Sequence, residues 1–108
     1  MKEFRLTGDR LLAALAALAN PHRLRIIAAL ATGGRNYVSQ LARELAISRP
    51  LLHLHLQRLA EAGLVTSKLE LSQDGKALNY FEICRFEIEL TPAAIAKAAP
   101  SLTSKSEP

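Results

Sequence analysis

Apolar residues recur at helical spacing through the first 62 residues of the chain and at alternate positions beyond them, with Gly, Pro and capping residues at the joins. Leu11, Leu12, Leu15, Leu18 and Ala19 fall at helical spacing, with leucines on more than one side, after Thr7 and Asp9, either of which can accept a hydrogen bond from the free amides of a first turn. Asn20-Pro21 ends that helix and starts the next, because Asn20 caps with its side chain and Pro21 suits a first-turn position that needs no N–H donor. Leu24, Ile27, Ala28 and Leu30 form the expected stripe of the second helix, and Gly33-Gly34 supplies the left-handed backbone that closes it. A third helix is expected over 38–46, with Val38, Leu41, Ala42 and Leu45 inward. Only Ile47 separates it from Ser48, which caps a fourth helix over 48–62 with Pro50 in its first turn and Gly63 after its end. Two helices joined so tightly cross steeply, which is the layout of a helix-turn-helix.

The pattern then changes period. Residues 64–71 and 78–83 are rich in strand formers and flank Ser72-Gln73-Asp74-Gly75-Lys76-Ala77, whose Asp-Gly pair is a hairpin turn signal. Phe86, Ile88 and Leu90 alternate with Glu87 and Glu89, so the second strand is expected to run on to residue 90. Thr91-Pro92 repeats the cap and first-turn pairing and opens a short Ala-rich helix to about residue 99. Residues 1–100 read as one domain and 101–108 as a flexible tail.

Composition narrows the class without naming a partner. A chain of 108 residues has room for one core. An excess of 14 Lys and Arg over 10 Asp and Glu favours any polyanion. The single cysteine, Cys84, rules out an internal disulfide framework, and the longest uncharged apolar run, the nine residues 11–19, falls short of the ~20 that cross a bilayer. With no signal-peptide pattern at the N-terminus, a cytoplasmic location is expected. A Gly-rich phosphate loop, a nucleophile elbow, a His-Glu-x-x-His motif and a coherent carboxylate pair are all missing, so an enzyme is not expected.

Three stretches carry a family resemblance: LANPHRLRIIAAL at 18–30, VSQLARELAISRPLLHLHLQRLAEAGLV at 38–65 and DGKALNYFEI at 74–83. In this order and spacing they resemble the opening motif, helix-turn-helix and wing of the ArsR/SmtB regulators, over about three quarters of the chain. The resemblance implies a mainly α (α+β) winged helix-turn-helix, with about five helices and a two-stranded hairpin as the wing. It also implies a transcriptional regulator, with the terminal helices paired across a two-fold axis. Leu11, Leu12, Leu15 and Leu18 of the first helix and Ala94, Ile95 and Ala98 of the last are the residues expected in that interface.

The residues of the fourth helix point the same way. Leu52, His55, Leu56 and Leu59 share one face, leaving Arg49, Leu51, His53, Leu54, Gln57 and Arg58 across the other, where the major groove would receive them. Arg49 can pair bidentately with guanine O6 and N7, Gln57 with adenine N6 and N7, and His53 can bond a base edge or a phosphate. Leu51 and Leu54 match the apolar thymine methyl, and the Ser48 hydroxyl a phosphate oxygen. Lys68, Gln73 and Lys76 of the hairpin, with Ser39 and Gln40 at the start of the third helix, are expected at phosphates or the minor groove. Taken with the resemblance, the expectation is a dimeric repressor on double-stranded DNA with a palindromic operator.

Two alternatives follow from the same residues. Leu51 and Leu54 also suit a protein-docking surface, which would make the domain an interaction module or an activator working with an accessory protein. Many members of the resembled family sense metals through cysteines in the third helix or Asp and His in the last, and this chain has neither. His53 and His55 are two apart and point to different faces, so no metal or other cofactor is expected. His55 reads as a core or hinge-facing residue bonded to the backbone, His22 as a first-turn surface residue and Cys84 as a small buried apolar group.

Overall fold

Helix starts in the computed structural model, which describes residues 6–103, are set mainly by side-chain caps. Thr7 Oγ1 accepts from the Arg10 amide at 3.2 Å ahead of α1 (Gly8–Leu18). Asn20 Oδ1 accepts from the His22 and Arg23 amides at 2.9 and 3.3 Å ahead of α2 (Pro21–Gly33). A two-residue strand β1 (Asn36–Tyr37) leads directly into α3 (Val38–Leu45), which has no side-chain cap. Ser48 Oγ accepts from the Leu51 amide at 3.3 Å and opens α4 (Arg49–Glu61). Each such cap contributes about 1 kcal/mol.

The turn between α3 and α4 depends on one backbone conformation. Ala46 sits at φ 55°, ψ 45°, in the left-handed region, and this turns the Ile47 amide back onto the Ala42 carbonyl at 3.1 Å. Ile47 then tucks against the core and Ser48 begins the next helix. The short link between the two helices expected from the sequence is made by these residues alone.

Ile26, Leu41, Leu52, Leu56, Leu59 and Leu64 are fully buried and bring α2, α3 and α4 together. At about 1.5–3 kcal/mol for each large apolar side chain removed from water, this cluster is the main source of stability. The buried stripe of α2 differs from the expected one. Leu24 is 55% exposed and Ala28 is exposed, while Ile26 and Leu30 are buried. The inward row is Arg23, Ile26, Ile27 and Leu30, so a guanidinium occupies its first position and disguises it in the sequence.

Beyond α4, β2 (Val65–Leu71) and β3 (Ala77–Ile83) pair antiparallel from Val65 opposite Ile83 to Leu71 opposite Ala77. Asp74 and Gly75 lie in the connecting turn, where Gly75 takes φ 83°. The sheet has three strands in the order β1-β3-β2, with Asn36 opposite Phe81 and Tyr37 opposite Tyr80. The pairing ends at Ile83 and does not continue to residue 90. Gly63, at φ 79°, turns the chain out of α4 just before Val65, so no strand lies opposite residues 84–90. Phe86 and Ile88 pack on the core from a segment outside any helix or strand.

Thr91 Oγ1 accepts from the Ala94 amide at 3.0 Å and opens α5 (Pro92–Ala98), followed by a 3-10 turn at Ala99–Ser101. The chain then docks on α1. Ser101 Oγ accepts from the Gly8 amide at 2.7 Å, and the two Asp9 carboxylate oxygens accept from the Thr103 amide and hydroxyl at 2.9 and 2.7 Å. Gly8 permits the approach, since a Cβ there would meet the Ala98 carbonyl oxygen at 2.6 Å. Residues 101–103 are therefore part of the fold, and the rest of the expected tail lies outside the described residues.

Candidate nucleic-acid interface

Burial of Leu52, His55, Leu56 and Leu59 fixes the rotation of α4, and every candidate on its other side is exposed: Arg49, Leu51, His53, Leu54, Gln57 and Arg58. Leu51 and Leu54 are 37% and 47% exposed and, three residues apart, share part of that outward face. At the N-terminal end a groove of about 230 Å³ runs between α4, the start of α3 and β3. Ser39, Arg49 and His53 line it together with Tyr37, Ala77 and Asn79. Ser48 sits at the same helix start, its oxygen engaged by the Leu51 amide.

Arg58 is set apart from this group. It lies near the C-terminal end of α4, 3.5 Å from Glu61, beside α1 and α2. Gln40 donates to Glu44 at 3.3 Å, and Asn36 holds the other oxygen of that carboxylate at 3.0 Å. Gln73 and Lys76 are exposed at the tip of the hairpin, where Ser72 accepts from the Lys76 amide at 3.1 Å and donates to Asp74. Lys68 lies opposite Tyr80, on the face of β2 that turns away from Val65 and the core.

A brace missed in the sequence ties the hairpin to the loop before α3. Arg35 forms an ion pair with Glu70 of β2 and stacks 4.2 Å over the Tyr80 ring, and Tyr80 meets Tyr37 edge-on at 5.7 Å. Arg35 holds the Glu70 carboxyl below its ordinary range, and Glu70 in turn raises Arg35. The loop before α3 is thereby fastened to the outer strand. No periodicity could have shown this, because the partners come from three separate segments.

An uncharacterized HTH-type transcriptional regulator of Methanocaldococcus jannaschii is 35% identical over 81 residues, covering 75% of this chain and 83% of that protein. The chain belongs to the HTH-type transcriptional regulators. The helix-turn-helix domain family matches residues 18–68 of this regulator, from the end of α1 into β2. A possible transcriptional regulatory protein of Mycobacterium bovis, solved as fragment 1–100, is 29% identical with a TM-score of 0.61, over 69% of this chain and 74% of that one. HlyU of Vibrio cholerae shares the fold at 22% identity and a TM-score of 0.60, over 86% of this chain and 88% of that one. The regulator is thus a winged helix-turn-helix protein that binds DNA, with the hairpin β2–β3 as its wing.

Other polar groups of the regulator lie inward. His55 is buried and bonded to a side chain, not to the backbone: its Nδ1 accepts from Arg23 Nε at 3.2 Å, while Nε2 has no hydrogen-bond partner among the described residues. Burial, then Arg23 and His22, push its pKa down. His22 is half-buried, its ring 5.2 Å from that of His55. Cys84 is half-buried, and burial followed by the charge of Glu82 pushes its thiol up, away from the reactive thiolate.

The residues expected at a two-fold interface divide. Leu11 and Ala98 are buried within the regulator's own subunit by the packing of α5 on α1, and Leu18 packs against the core. Leu12 and Ile95 stay 51% and 45% exposed, with Leu15 and Ala94 half-buried. Gly8, Leu12, Leu15, Ile95 and Leu102 are among the residues that rim an apolar recess of about 180 Å³.

Proposed function

We propose that the protein is a homodimeric repressor of ArsR/SmtB type that acts in the cytoplasm and binds a palindromic operator. The observation that carries this reading is the exposed face of α4: Arg49, His53 and Gln57 stand outward on a helix whose other side is fully packed, beside a groove bounded by the wing. That helix enters the major groove, with Arg49 on guanine, Gln57 on adenine, and Leu51 and Leu54 against thymine methyls. Ser39, Gln40 and Ser48 approach phosphates, as do Gln73 and Lys76 from the wing tip. Arg58 and Lys68 contribute to the field more than to contacts, being displaced from the groove.

Two such helices separated by one helical turn of DNA require a two-fold dimer. Leu12, Leu15, Ala94 and Ile95 form its seam, covering apolar surface that the single subunit leaves open. The dimer occupies a promoter-overlapping operator and excludes polymerase. The mechanism uses no metal or other cofactor.

Fluorescence anisotropy with the DNA upstream of its own gene, at two salt concentrations, tests the proposal. Specific binding that weakens steeply with salt supports it. The exposure of Leu51 and Leu54 favours a second reading, a docking module or activator working with an accessory protein. That reading prevails if DNA binding is weak, independent of sequence and insensitive to both leucines.

A further inference from the structure

A recess of about 240 Å³ lies between α1, α2 and the C-terminal end of α4, away from the groove beside the wing. The methyl groups of Ala13, Ala16 and Ala17 form one wall, and Arg23, Arg58 and Glu61 supply charged groups around it. Arg23 is a half-buried guanidinium held in place by two acceptors. Its Nε donates to His55 at 3.2 Å and its Nη1 to the Ala17 carbonyl at 3.3 Å. Neither acceptor is an anion, no carboxylate pairs with Arg23 among the described residues, and its Nη2 makes no hydrogen bond among them. Arg58 has Glu61 at 3.5 Å, with both side chains more than half exposed, so the pair is loose. Two guanidiniums face one carboxylate, and a positive charge is left over.

A partly buried cation without a counter-ion is costly, and an anion relieves that cost. The alanine wall decides which kind. Phosphate or sulfate is strongly hydrated and gains nothing from methyl groups. An organic carboxylate lays its apolar body on α1 and presents two oxygens to planar guanidinium donors. We propose that this recess binds a small organic monocarboxylate, held by Arg23 and Arg58 with its apolar part against Ala13, Ala16 and Ala17. The recess joins α1, part of the proposed dimer seam, to α4, the proposed reading helix. An occupant therefore restrains one against the other, and this regulatory consequence rests on the DNA-binding reading while the binding itself does not.

Isothermal titration and thermal melting of the full chain without DNA provide the test. The probes are butyrate and benzoate, with butyramide and benzamide as neutral isosteres and inorganic phosphate at matched ionic strength. At least one carboxylate is expected to bind one site per chain and raise the melting temperature, while the amides and phosphate do not. Arg58→Gln, with a parent-like melting temperature when unliganded, should weaken that binding about tenfold or more. The site is refuted if neither carboxylate binds in the millimolar range, if an amide or phosphate binds as well, or if Arg58→Gln changes nothing. A chain that binds butyrate or benzoate in this way and yet ignores DNA keeps the site and loses the regulator, so the two failures are distinct.

Discussion

Arg23 Nε donates to His55 Nδ1 at 3.2 Å, which fixes the His55 proton on Nε2 and ties the inner side of α4 to α2. Protonating Nδ1 would set two donors against each other. Because the folded pKa of His55 is depressed below the ordinary 6.5, the unfolded chain takes up the proton first as pH falls. The stabilisation is whole above about pH 6.5 and is lost progressively as pH drops towards the folded pKa. Unfolding free energy from chemical denaturation across pH 7 to 5 should fall, with a slope of at most about 1.4 kcal/mol per pH unit from this proton. In His55→Gln that slope should flatten; an unchanged slope would assign the acid sensitivity elsewhere.

Ala46 adopts φ 55° to close α3, where a side chain is strained and glycine is not. Ala46→Gly is expected to stabilise the protein by about 1 kcal/mol, read from chemical denaturation. A loss of stability would mean that the turn gains more from the rigidity of alanine than it loses in strain.

Arg49 and Lys76 separate base reading from charge. Arg49→Ala should weaken specific binding by about 1–3 kcal/mol and relax base preference, whereas Lys76→Ala should weaken all sequences alike and lower the salt slope by about one. Anisotropy on operator and scrambled DNA checks both. If the two variants bind every probe as the parent does, the assigned surface is wrong.

Leu12 and Ile95 face outward from α1 and α5 at the apolar recess. Leu12→Glu is expected to give monomers in sedimentation and to lower operator affinity, while leaving the helical circular dichroism of the subunit in place. A dimer that survives this change would have its seam on another surface.

The sequence showed the elements whose signals are local. The caps at Asn20, Ser48 and Thr91 and the Asp-Gly turn lie where residue chemistry alone puts them, and the outward face of α4 followed from the spacing of Leu52, His55, Leu56 and Leu59. What escaped depends on distant partners. β1 is two residues long and exists only through Tyr80 and Phe81, and the stripe of α2 was hidden because Arg23 stands in it. Leu11 and Leu12 are adjacent leucines, and only the arrival of α5 from the far end of the chain decides which of them is covered. The groove beside Arg49 likewise needed Tyr37 and Asn79, brought from either side of it in sequence.

The bonds from Gly8 and Asp9 to Ser101 and Thr103 make the seam of the proposed dimer a late product of synthesis. During translation α1 emerges first, but the turn that completes its surroundings is not available until residue 103 has left the ribosome. A chain in which only the earlier elements have folded therefore does not yet carry this surface.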